Sequence, residues 1–127
     1  MKKNSLKLVF LTLAFFLLTA GRTAPIYNVE KADVPAKLKV ETIKKSIIRA
    51  GLGLGWEMKA DKPGHILGTL HLRSHTAIID VTYNTKNYNI KYKDSVNLDH
   101  SGDVIHANYN NWIRNLDKHI QMELQTR

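Results

Sequence analysis

The chain has 127 residues, no cysteine and a formal net charge of +8. That length bounds it to one domain with a single modest core. The missing thiol excludes disulfides, so the fold rests on that core even in an oxidising compartment.

Lys2, Lys3 and Lys7 precede a 13-residue run, Leu8 to Ala20, with no charged side chain. As a helix this run spans roughly 20 Å, short of the roughly 30 Å hydrocarbon core of a bilayer. No second such run follows, so no transmembrane span is expected after processing. A basic start, a short apolar stretch and the small residues Thr19, Ala20 and Gly21 form a cleavable secretory signal peptide over residues 1–21. Cleavage fits best after Gly21 or Ala20. The surrounding stretch LLTAGRTAP (Leu17–Pro25) has the layout of a lipoprotein processing site, with Arg22 where the lipid-bearing cysteine would stand. Thioether lipidation needs a thiol, so the expected product is exported to the periplasm or cell envelope without a lipid anchor. Residues 22–127 keep 16 basic and 11 acidic residues, a formal +5. In a cytosolic protein that excess would suggest nucleic acid. An exported domain instead meets anionic lipid headgroups or other envelope polymers, and no Lys/Arg block or aromatic-interleaved basic patch argues otherwise.

Residues 22–36, RTAPIYNVEKADVPA, hold two of the three prolines and no sustained periodicity, and are read as an extended linker. Residues 37–127 are read as one domain. From Val40, apolar residues recur at Ile43, Ile47 and Ala50, the spacing of an amphipathic helix. Glu41 and Arg49 sit where the helix dipole favours an anion and a cation. GLGLG (Gly51–Gly55) ends this helix. A phosphate-binding glycine loop follows a strand and opens a helix, the reverse of this order, so a C-terminal cap is the better reading.

The middle of the chain alternates with period two, and four strands joined as hairpins are expected. Trp56, Met58 and Ala60 share a face, followed by a turn at Lys62-Pro63-Gly64. Ile66, Gly68, Leu70 and Leu72 share the next, followed by Arg73-Ser74. His75, Ala77, Ile79, Val81 and Tyr83 come third, then Asn84–Asn87, then Tyr88, Ile90 and Tyr92. A two-residue loop at Arg73-Ser74 pairs Leu70 with Ala77 and Ile66 with Val81. The Asn84–Asn87 loop pairs Tyr83 with Tyr88 and Ile79 with Tyr92. Both registers put the apolar sets on one face, and a one-residue slip would break the match.

After the polar stretch DSVNLDHSGD, a second helix is expected from about Ile105 to Leu124. Its apolar line runs Ile105, Tyr109, Trp112, Leu116 and Ile120, and Asp103 or Ser101 is its expected cap. The fold class is therefore α+β: a helix, a four-stranded antiparallel meander and a helix, with both helices packed on one face of the sheet.

Four blocks carry a resemblance: GW (Gly55, Trp56), LRSHTA (Leu72–Ala77), YNIKYKDSVNL (Tyr88–Leu98) and IHANYNNWIRNL (Ile105–Leu116). Through them the chain resembles a family of small proteobacterial exported, lipoprotein-like envelope proteins of unknown function. Many members carry the lipid-bearing cysteine near the position that Arg22 holds here. The resemblance implies an envelope address and brings no reaction, cofactor or ligand.

The registers also bring out a candidate polar cluster or ligand site. Continuing the alternation places Asp94 with Tyr92 and Ile90, opposite Ala77 and diagonal to His75. His106 and Asn110, near the start of the second helix, would close over the pair. A carboxylate beside histidine raises its pKa and orients its ring, as a general base requires. Ser95 points away from Asp94 in this register and lacks a glycine-framed turn, so no catalytic triad is assigned. A clasp holding the meander to the second helix accounts for these residues better, since buried polar groups need partners in any case. No metal site is expected: the six histidines are scattered, and His71 and His75 fall on opposite faces. No cofactor is expected either. The open sheet face is read as a solvated one, although Leu67 and Ile78 among Thr, Lys and Arg are apolar points that a partner could exploit. Two functions follow. The first is a non-enzymatic binding or interaction module meeting another envelope protein or an anionic envelope polymer. The second is a small periplasmic hydrolase or ligand-binding protein using His75, Asp94 and His106.

Overall fold

The computed structural model describes residues 22–127; the expected signal peptide lies outside them. Strands β1 (Thr23–Pro25) and β2 (Val29–Asp33) precede helix α1 (Val40–Gly53). Then come β3 (Glu57–Lys62), β4 (His65–Leu72), β5 (His75–Tyr83), β6 (Asn87–Val96), β7 (Val104–His106) and α2 (Ala107–Gln125). The domain is α+β. An antiparallel sheet of order β2-β6-β5-β4-β3 carries both helices on one face, and β1 pairs with β7 in a separate two-stranded ribbon.

The four meander strands form where the alternation placed them. Leu72 pairs with His75, Leu70 with Ala77, Gly68 with Ile79 and Ile66 with Val81. Tyr83 pairs with Tyr88, Val81 with Ile90 and Ile79 with Tyr92. Each hairpin has a local reason. Arg73 takes φ 57° and Gly64 φ 76° in their turns, and Asn84 Oδ1 accepts from the backbone N–H groups of Lys86 and Asn87, an Asx turn that fixes the third.

The segment 22–36 is extended, as expected, but it is not a free linker. It supplies β1 and the fifth strand, β2. Its register against β6 shifts between Val29 and Ala32, with Lys31 at φ 51°. That bulge breaks the period-two pattern by which a strand is recognised.

In α1, Ile43, Ile47 and Ala50 face the core. Gly51 O accepts from the N–H groups of Leu54 and Trp56, and Gly55 reverses the chain at φ 90°, so the glycine run is a C-terminal cap. In α2 the buried line is Tyr109, Ile113, Leu116, Ile120 and Leu124, with Trp112 half-buried beside it rather than in it. The helix also starts later than expected. Ser101 and Val104 exchange backbone hydrogen bonds around Gly102 (φ 57°), which takes Ser101 and Asp103 out of capping range. Buried Ile105 joins β7, and His106 Nδ1 becomes the cap by accepting from Asn108 N–H.

Candidate functional site

The four residues expected to cluster are held separately. Ile78 pairs with Asp94 but Ile79 pairs with Tyr92, so Lys93 is an extra residue in β6. A one-residue bulge exchanges the faces of everything beyond it. Asp94 therefore turns to the open face, where its Oδ1 accepts from Ser95 N–H. Ser95 takes the inner position opposite Ala77, its hydroxyl 2.8 Å from Tyr92 Oη. His75 Nδ1 donates to the Asn97 carbonyl at 2.6 Å, with its ring 6.4 Å from that of Trp112. His106 caps α2. Among the described residues no hydrogen bond joins any two of His75, Asp94, His106 and Asn110.

Asn110 performs a different task. It is 3% exposed; its Oδ1 accepts from Tyr27 N–H and its Nδ2 donates to the Pro25 carbonyl, both at 2.9 Å. One side chain thereby satisfies the last carbonyl of β1 and an N–H just beyond it, and fixes the end of that strand on α2. Arg114, one turn further on, stacks over the Tyr27 ring at 4.6 Å. A second polar junction lies further along α2. The hydroxyl of fully buried Tyr88 donates to Asp117 Oδ1 and accepts from Gln121 Nε2, and Gln121 also donates to the Asp33 carbonyl. Burial pushes the Tyr88 phenol above its ordinary range, and the Asp117 carboxylate adds to this. These two junctions bind meander and N-terminal segment to α2, the task the sequence had assigned to His75, Asp94 and His106. Asp117 and Gln121, four apart on one flank of α2, were the available signal.

The most concentrated charge cluster lies at the β3–β4 turn. His65 Nδ1 is 2.5 Å from Asp61 Oδ1 and Nε2 is 2.7 Å from Asp80 Oδ1, while Lys93 Nζ lies 3.6 Å from Asp80 Oδ2. With a carboxylate on each ring nitrogen, the pair favours the protonated ring, in which both nitrogens donate. The hydrogen bond to Asp61, followed by that to Asp80, raises the His65 pKa above its ordinary 6.5. The same bond lowers the Asp61 pKa below 3.8. A raised histidine pKa gives stability that is complete below the unfolded value and lost as pH rises through the folded one. Relative to His65→Gln, the native chain should therefore melt higher at mildly acid pH. The gap should shrink as pH climbs above 6.5, in melts from about pH 5 to about pH 9. A gap that is constant or widens over that range would contradict the pairing. Beside this turn is a cleft of about 370 Å³, between Val40, Glu41 and Lys44 of α1 and Asp61, Lys62 and Pro63. None of His75, Asp94, His106 or Asn110 lines it.

Among the described residues no group of three or more histidine or carboxylate side chains is placed to hold a metal ion. No helix among them is long and apolar enough to cross a membrane. What does stand out is the distribution of charge. Residues 37–53, which enter and form α1, hold Lys37, Lys39, Lys44, Lys45 and Arg49 against Glu41; residues 107–127 hold Arg114, Lys118 and Arg127 against Asp117 and Glu123. The rest of residues 22–127 carries eight basic and eight acidic side chains. The whole +5 sits in these two segments, each made of a helix and the residues that flank it. Compared with known proteins, the chain matches no family model, no curated protein and no solved structure.

Proposed function

We propose that this chain is an exported cell-envelope protein that acts as a non-enzymatic interaction module and meets an anionic envelope partner through its helix layer. The observation that carries this reading is the charge separation: a balanced sheet under a helix layer that, with its flanking residues Lys37, Lys39 and Arg127, holds all of the net positive charge. Such a field attracts polyanions from beyond contact range. The leader-like N-terminus and the resemblance to envelope proteins support the address. The competing hydrolase or ligand-binding reading needs His75, Asp94 and His106 to converge, and each is tied to its own backbone partner.

Cell fractionation tests the proposal. The protein is expected in the envelope or periplasmic fraction, with an intact mass corresponding to a start at Arg22 or Gly21 and no lipid. It should be released from envelopes by about 1 M salt, where charges are screened beyond about 3 Å. A full-length chain retained in the cytoplasm would overturn the address. Envelope attachment indifferent to salt would overturn the electrostatic partner.

A further inference from the structure

Resting on that reading, we propose that the outer faces of α1 and α2 together form a docking surface for one kind of anionic partner, a phospholipid bilayer surface. The two helices run antiparallel and touch: Leu54, just past α1, shares a small cleft with Trp112, and Arg49 Nη1 lies 3.8 Å from Glu123 Oε2. Their outward sides therefore make one continuous face. On α1 that face presents Lys45, Arg49 and Leu52, a repeat of four then three; on α2 it presents Lys118 and Met122, four apart. Arg49 and Met122 line the same shallow groove between the helices, which joins the two halves of the patch. Lys45 and Lys118 form no ion pair among the described residues, so their charges are available to a partner.

The apolar members decide between a bilayer and a soluble polyanion. Leu52 is 59% exposed and Met122 54% exposed, and both stand among the cations. A polyanion binds cations and gains nothing from these two side chains. A bilayer offers phosphates to the cations and acyl chains to the tips between them, the arrangement by which amphipathic helices lie in a membrane interface. At about 1.5 Å per residue, Lys45 to Leu52 lays roughly 10 Å of such a face along the surface.

Vesicle co-sedimentation tests this with residues 22–127, which enclose the whole core. The protein should bind phosphatidylethanolamine–phosphatidylglycerol vesicles and leave vesicles of phosphatidylcholine alone. Lys45→Gln with Lys118→Gln should weaken binding roughly 25-fold, about five-fold for each charge. Lys59→Gln with Lys91→Gln, the same charge change on the sheet's open face, should alter it less than about two-fold. Leu52→Ser with Met122→Ser should weaken vesicle binding but leave binding to soluble polyphosphate unchanged. These positions are exposed, and unchanged melting confirms the fold of each variant. If polyphosphate binds through Lys45 and Lys118 while the serine variant binds vesicles normally, the bilayer is the wrong partner and the anionic-partner reading stands. If the sheet-face variant loses as much as the helix-face variant, or if neither vesicles nor polyphosphate bind, both are overturned.

Discussion

Asn110→Ala should cost about 3 kcal/mol and free the first strand before anything else unfolds. The side chain is buried and holds both the Tyr27 N–H and the Pro25 carbonyl. Its removal loses two hydrogen bonds and leaves a half-buried amide without an acceptor, and each unmade buried bond costs about 1–3 kcal/mol. Hydrogen exchange separates this from general destabilisation, since the Tyr27 amide should lose protection well ahead of the amides in β5. Asn110→Asp keeps the acceptor and loses the donor, so it should fall between the wild type and alanine. Native protection at Tyr27 in the alanine variant would show that Asn110 does not hold the strand.

Gly68→Val carries the second large effect, also about 3 kcal/mol. Gly68 is buried in β4 directly opposite Ile79. A β-carbon built there would lie 2.8 Å from Ile79 Cγ1 and 3.1 Å from its Cδ1, closer than packed carbons approach. The isoleucine is locked inside the core, so overpacking of this kind costs at least 1–3 kcal/mol. The clash predicts its own rescue. Gly68→Val combined with Ile79→Ala should be at least about 1 kcal/mol more stable than the sum of the separate effects. Strict additivity in chemical denaturation would place the cost elsewhere. Glycine at position 68 is thus a packing requirement, set by the side chain across the strand.

The meander was legible because its hairpin loops are short and its apolar residues alternate without a break. Register then follows from matching faces, and the pairs from Ile66–Val81 to Ile79–Tyr92 came out as expected. Legibility ended at bulges. At Lys93 the alternation runs into two charged residues, so no apolar side chain marks the exchange of faces, and Asp94 and Ser95 were assigned to each other's sides. At Lys31 a bulge interrupts β2, and a strand read as a linker. The junctions on α2 were hidden for another reason. Tyr88 was expected to face inward, but its meeting with Asp117 and Gln121 depends on where the helix lies over β6, which periodicity does not give. The Asp61–His65–Asp80 cluster likewise needs the β3–β4 and β4–β5 pairings together, and a search for buried apolar faces passes over it.

The docking of β1 also sets an order of events. Arg22 already gives its carbonyl to Ala107, and Thr23 pairs with His106. The strand's partners thus lie about 80 positions downstream, as the separation of 83 between Tyr27 and Asn110 illustrates. Until those partners have emerged, the backbone around Arg22 has nothing to pair with and can thread a protease as an extended strand. Once they have, it becomes part of the folded body. If the leader is removed at residues 20–22 as proposed, the cut is expected to come more easily before the C-terminal helix docks this strand than after.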